Sequence, residues 1–336
     1  MQDGIVNGAV YALLALSLVL VFAVTRVIFI PQGELVAFGA LTYAALDAGQ
    51  APGSIFLLLA LGLAALLAEL WRQRQALHAR GITNALLQCV VLPAAIAGLA
   101  VLVAPRHPGV LVNAVLAIAI VTPMAPFLYR LAFLPLAEAS VLVLLIASIG
   151  VHLALQGLGL VFFGPEGARA TGFSDARFDV GDLTVTGQSL WIIGLTVALM
   201  AALFVFFGFT LSGRALRATA VNRLGARLVG IPTAQSGLIA FTLAGFIGAL
   251  SGVLIAPLTT IYYDSGFLIG LKGFTAAIVA GLASYPGAAL AALLVGIVES
   301  FSSFWASAFK EVIVFTVIIP VLLWRSLRSP AAEEDE

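Results

Sequence analysis

Residues 5–25 read IVNGAVYALLALSLVLVFAVT, a stretch without a single charged side chain. At about 1.5 Å per residue it makes a helix of about 30 Å, the thickness of a bilayer's hydrocarbon core. It does not alternate with period two, so it belongs to a helix and not to the wall of a barrel. No basic segment precedes it, so it reads as an uncleaved first span. Further apolar runs follow at 35–50, 54–71, 84–104, 109–128, 139–163, 189–211, 236–257, 268–284, 287–305 and 311–324, about eleven in all. The expected fold is all-α, a polytopic helical membrane protein. The runs at 35–50, 268–284 and 311–324 are short for a crossing, which leaves broken or re-entrant segments open there.

Composition agrees. The chain has 336 residues, 62% apolar and 10% charged, with mean hydropathy +1.14; a soluble domain carries roughly 25% charged residues. The expected surroundings are a lipid bilayer. Net charge is zero, which gives no argument for a nucleic-acid partner. Cys89 is the one cysteine, so neither a disulfide framework nor a cysteine metal site is expected.

Charge orients the bundle. If all runs cross and the N-terminus is outside, the cytoplasmic segments hold Arg26, Arg72, Arg74, Arg80, Arg130, Arg214, Arg217, Arg223, Arg227, Arg325 and Arg328. The outer segments keep Arg106, Arg169, Arg177, Lys272 and Lys310. Basic residues concentrate on cytoplasmic loops, so the expected topology is N-out and C-in. The largest outer loop, 164–188, includes DVGDLTVTG, which suits a small hairpin. The acidic EEDE at 333–336 closes a tail, 330–336, expected to be disordered.

On the inner side the longest polar stretch is SGRALRATAVNRLGARLVGIPTAQ, 212–235. Leu216, Ala220, Leu224 and Leu228 recur every four residues, one apolar face on a short helix. Gly230 and Pro232 supply the stop. Such a basic amphipathic helix either lies on anionic lipid or docks on a cytoplasmic partner.

Two other segments interrupt the apolar pattern: Pro31-Gln32-Gly33-Glu34 and Ser284-Tyr285-Pro286-Gly287. Paired breaks of this kind mark a translocation path in some transporters; the plain alternative is two short cytoplasmic turns. The path candidates are therefore Gln32, Gly33, Glu34, Ser284, Pro286 and Gly287. Glu34 could equally serve as the N-terminal cap of the second run. Lys272, Glu299, Lys310 and Glu311 lie near the outer ends of the last runs, where pairing or snorkelling accounts for them. His152 reads as a hydrogen-bonded packing residue. Gly248-Ala-Leu-Ser-Gly252 is a small-xxx-small pattern that lets helices approach closely. No phosphate loop, H-E-x-x-H, C-x-x-C or G-x-S-x-G element occurs. No catalytic residue and no metal site are expected. An ion-driven carrier would need intramembrane carboxylates, and its candidates Glu34 and Glu299 stand at run ends with no buried relay legible.

Several ordered stretches carry a family likeness: GAVYALLALSLVLVFAVTRVIFIPQGELVAFGA at 8–40, ASIGVHLALQGL at 147–158, GRALRATAVNRLGARLVGI at 213–231, GLKGFTAAIVAGLASYPGAALAALLVGIVES at 270–300 and KEVIVFTVIIPVLLWRS at 310–326. The chain resembles the LivH-type permeases of branched-chain (hydrophobic) amino acid ABC transporters. The resemblance implies a multi-pass subunit of the bacterial inner membrane, working with a second permease subunit, two cytoplasmic ATPase subunits and an extracytoplasmic solute-binding protein. ATP would be bound by the partner subunits, with no cofactor on this chain. The family's ATPase-coupling loop falls on Arg214, Leu216, Arg217, Asn222, Arg223, Leu224, Arg227, Leu228 and Gly230. Residues 1–329 would form one permease domain, a core of eight or nine spans plus a two-helix insertion at 72–126. The family usually has His-Gly-Glu where this chain has Gln32-Gly33-Glu34, and glycine where it has Ala280 and Ala283. These departures leave amides, urea and aromatic acids open as solutes beside amino acids.

Overall fold

The computed structural model of the chain describes residues 2–73, 79–180, 183–282, 284–317, 319–321, 323 and 327. The acidic tail and Arg74, Arg325 and Arg328 lie outside the described residues. Among the described residues, eight helices are long and apolar enough to cross a membrane. The polytopic helical architecture expected from the apolar runs is therefore present, built from fewer full-length crossings than there are runs.

The central helix is α1 (Gln2–Thr25), buried along most of its length. It packs against α12 (Thr233–Ile255), α13 (Ser265–Val279) and α14 (Tyr285–Trp305). In lipid no hydrophobic drive joins helix to helix, so close backbone approach through small residues has to supply the packing. The glycine pattern read at 248–252 does this: a Cβ at Gly252 would lie 2.1 Å from the Val36 carbonyl oxygen. That glycine therefore lets α12 rest directly on the backbone of α2 (Gln32–Asp47).

The periphery is α3 (Ser54–Gln73), α4 (Ala79–Leu86), α5 (Leu92–Val103), α6 (Val110–Val121), α7 (Met124–Leu128), α8 (Val141–Phe163) and α9 (Gly187–Phe209). Two π-helical turns, Leu87–Val91 and Tyr129–Phe133, interrupt the spans 82–106 and 110–133. The two runs of 72–126 meet at a left-handed turn on His107. Of the two, α5 keeps much of its surface exposed, while α6 buries Ala117, Ile120 and Val121 against α2 and α12. The expected hairpin in 164–188 forms, with β1 (Arg177–Val180) antiparallel to β2 (Leu183–Thr186) and Arg177 opposite Thr186. The rest of that loop straps the bundle: Ala168 pairs with Ile261, and Asp47 accepts from the Thr171 amide at 2.9 Å.

Two of the short runs form short helices. Helix α2 has 16 residues and α13 has 15, about 24 and 22 Å, both less than the hydrocarbon thickness. Arg26, at φ 62°, stops α1, and residues 26–29 run without helix before the turn into α2. The last run is described only in part, as α15 (Lys310–Thr316) and isolated positions beyond it.

Candidate functional site

The basic stretch does not fold as one helix. It forms α10 (Leu211–Val221) and α11 (Arg223–Leu228), broken at Asn222, whose backbone is extended at φ −149° and ψ 101°. The Asn222 side chain accepts from the Gly225 amide at 2.8 Å and so caps α11, as asparagine does at helix starts. The break corrects the expected four-residue stripe. Leu216 is 1% exposed and packs on Leu20, Val24 and Ala240, whereas Leu224 and Leu228 are 67% and 80% exposed. Turning the chain at Asn222 rotates the second half of the stripe away from the bundle. What remains is an outward apolar face of Val221, Leu224, Leu228 and Val229 beside a cavity of about 560 Å³ lined by Arg214, Arg217 and Asn222.

The arginines divide by role. Arg223 donates to the Ala137 carbonyl at 3.0 Å, and Arg227 bonds Glu138 and Thr233; both tie α11 to the loop before α8 and to the start of α12. The Arg227 hydrogen bond holds the Glu138 carboxyl below its usual range. Its contribution is therefore present above the ordinary carboxylate pKa and lost as pH falls through the lowered one. Arg214 and Arg217 are left to face the cavity, and Gly230, at φ 84°, ends the segment. Substituting Asn222 by alanine is expected to cost about 1 kcal/mol locally, read as faster hydrogen exchange at 225–228 with the spans unaffected.

The first interruption sits deep in the bundle. Gln32 Nε2 donates to the carbonyl of Ala244, midway along α12, at 3.0 Å. Gly33 meets the start of α13, where its added Cβ would lie 2.0 Å from the Gly266 oxygen and 3.1 Å from Gly270 Cα. Two short helices thus touch N-terminus to N-terminus at the level of the helix middles. Glu34 makes no cap; its Oε1 lies 2.8 Å from His152 Nδ1. Its Oε2 is buried without a partner, as is Gln32 Oε1. Ser148, one turn before His152 on α8, accepts from the Ile30 amide at 2.9 Å. An imidazole thus reaches Glu34 from another helix. Polar groups of α8 satisfy the broken backbone, as membrane depth requires.

The second interruption lies elsewhere. Ser284 is exposed and N-caps α14 through the Gly287 amide at 3.2 Å, with Pro286 in the first turn. This end lies by the basic segment, because Tyr285 stacks on Phe207 and a cavity there is shared by Tyr285, Arg26 and Arg217. The two breaks are not brought together; the first pairs instead with the start of α13.

The charged residues near the ends of the last runs form a cluster whose burial the sequence did not announce. Lys272 Nζ sits 2.5 Å from Glu299 and 3.1 Å from Glu311, and the Tyr11 hydroxyl donates to Glu299 at 2.5 Å. Lys272 and Glu299 are each 6% exposed, so the pairing expected of them is found and the snorkelling is not. The helical spacing alone held a hint: Lys272 interrupts an apolar run that offers it no partner within one turn.

Against known proteins, residues 81–322 match the family described as branched-chain amino acid transport system / permease component. The chain is 32% identical to the high-affinity branched-chain amino acid transport system permease protein LivH of Escherichia coli (strain K12), over 58% of this chain and 65% of that protein. It is 30% identical to the permease protein BraD of Pseudomonas aeruginosa, over 58% and 66%. It is also 29% identical to the probable permease LivH of Methanocaldococcus jannaschii, over 51% and 56%. The matched part thus spans 56–66% of the length of these relatives. With most of its length, from α4 through the last helices, inside the family's pattern, the chain belongs to the branched-chain amino acid transport permease family.

Proposed function

We propose that this chain is the membrane-spanning permease subunit of an ABC importer that moves a small solute inward with ATP hydrolysed by partner subunits. The solute class is branched-chain or other hydrophobic amino acids, the class named for the relatives. The observation that carries the reading is the α10–α11 face, where exposed leucines and valines stand beside Arg214 and Arg217 on an element capped at Asn222 and tied down through Arg223 and Arg227. An amphipathic segment held this way suits insertion into a groove of an ATPase subunit. Leu216 and Tyr285 connect it to α1, α12 and the start of α14. Movement of the docked segment would be carried through these contacts toward α13 and the Gly33–Gly266 meeting. In this reading α10–α11 is cytoplasmic, two ATPase subunits and a second permease subunit complete the transporter, and a solute-binding protein docks at the opposite end near 164–188. Residues 72–126 are a two-helix addition to the single permease domain.

The double variant Arg217→Glu, Val221→Asp is expected to cut co-purification of the ATPase at least about tenfold, since each change opposes a charge or buries one. The variant should elute as the parent does, and undiminished co-purification would sink the assignment. A second reading, an ion-gradient carrier, gains from the two buried ionisable clusters at Glu34 and Lys272, which that mechanism needs. Uptake in vesicles separates the two. Transport without the ATPase that collapses with a protonophore would favour the carrier.

A further inference from the structure

At the α10–α11 end of the bundle, a cavity of about 350 Å³ opens between α3, α4, the second π-helical turn and α12. It is separate from the coupling face and from the Gly33 turn. A π-helical turn carries an extra residue that resets which side chains face a given side, and such turns often mark binding sites. Here one such turn presents Gln88 and the other Arg130. Arg130 donates to Gln88 Oε1 at 2.9 Å and to Cys89 Sγ at 3.1 Å. Arg72 in turn donates to the Arg130 carbonyl at 3.3 Å. The two guanidinium groups are therefore cross-tied at one cavity, and five N–H donors on each exceed what these bonds use. Glu69, 4.0 Å from Arg72, offsets one of the two charges and leaves the cavity net positive.

Depth decides the ligand. The span 54–72 ends at Arg72, and the span 82–106 begins beside the cavity. Leu86 and Leu87, which lie in the chain between the cavity-lining Ala85 and Gln88, are exposed, as is Leu67, two residues before the cavity-lining Glu69. A soluble anion would have no use for that apolar track, whereas a phospholipid lays its acyl chains there and its phosphate at the end. We propose that this cavity binds the headgroup phosphate of an anionic phospholipid, clamped by Arg72 and Arg130. Basic pockets between spans at a membrane boundary recognise anionic headgroups in this way. The inference does not depend on the transport reading.

Native mass spectrometry of the full-length chain, titrated with phosphatidylglycerol or phosphatidylcholine, tests it. Phosphatidylglycerol should be retained preferentially, and inorganic phosphate at matched concentration should not displace it. Arg72→Gln should weaken its retention about fivefold, and Arg72→Gln with Arg130→Gln about 25-fold, at roughly 1 kcal/mol per basic residue near the surface. Arg106→Gln, at the other end of span 82–106, should leave retention as it was. Because Arg72 is partly exposed and its bond to Arg130 goes to a carbonyl, the single variant keeps the test readable if the double variant misfolds. Equal retention of both lipids, an unaffected Arg72→Gln, or displacement by free phosphate would each overturn the proposal.

Discussion

Replacing Lys272 by methionine is expected to destabilise the protein by about 3–5 kcal/mol, because it strands charges that the fold has buried in pairs. Lys272 Nζ lies against both Glu299 and Glu311, and Glu299 is almost wholly buried. Without the ammonium, the buried Glu299 carboxylate keeps only the Tyr11 hydroxyl as a donor, while the partly exposed Glu311 retains Lys310 at 3.9 Å. The cluster joins four elements, α1, α13, α14 and α15, so the loss should loosen the whole bundle core. Thermal unfolding in detergent would show it. The informative control is Lys272→Met combined with Glu299→Gln and Glu311→Gln. If breaking the pair is what costs, the triple variant should recover most of the stability, since replacing a whole buried ion cluster is far cheaper than halving it. A single variant as stable as the parent would mean that the cluster is wetter than its burial implies.

Gly33→Ala should be the most damaging glycine-to-alanine change among the described glycines. The added Cβ would stand 2.0 Å from the Gly266 carbonyl oxygen and 2.7 Å from its carbon. Both obstacles are backbone, so no side chain can swing aside. Overpacking in a well-packed core costs about 1–3 kcal/mol when neighbours can adjust, and a backbone-to-backbone clash should reach or exceed the top of that range. Gly266→Ala meets the Gly33 oxygen at 2.5 Å and should behave alike. Gly150→Ala on α8, where nothing lies within 4 Å, is the matched control and should express normally. Yields of monodisperse protein rank the three; normal behaviour of Gly33→Ala would show that α2 and α13 separate readily.

The Asn222 break shows why the basic segment was only half legible. A four-residue leucine period assumes one continuous helix, and a single extended residue rotates everything after it. The capping side chain was visible, but asparagine in a polar stretch is equally at home inside a loop. Leu216, before the break, packs into the bundle, whereas Leu224 and Leu228, after it, face outward, so the single face expected of the three is divided. The paired interruptions failed for another reason. Pro and Gly mark where backbone leaves the helix, yet carry no information about which break lies next to which. The true neighbour of the Gln32–Glu34 turn is the start of α13, at Gly266 and Gly270.

The sequence by itself determined the class of the protein: apolar runs of membrane length can bury their backbone polar groups only as helices, and that requirement is local. It also determined the close-approach surface at Gly248–Gly252 and the family, each carried by residues near one another in the chain. Only the tertiary structure decided that α2 and α13 begin deep in the bundle and meet head to head. It likewise decided that Glu34 is held by His152 from 118 residues away and that Lys272 lies between two carboxylates. These pairings depend on the rotation and depth of whole helices, and an apolar run that is uniform around its circumference fixes neither.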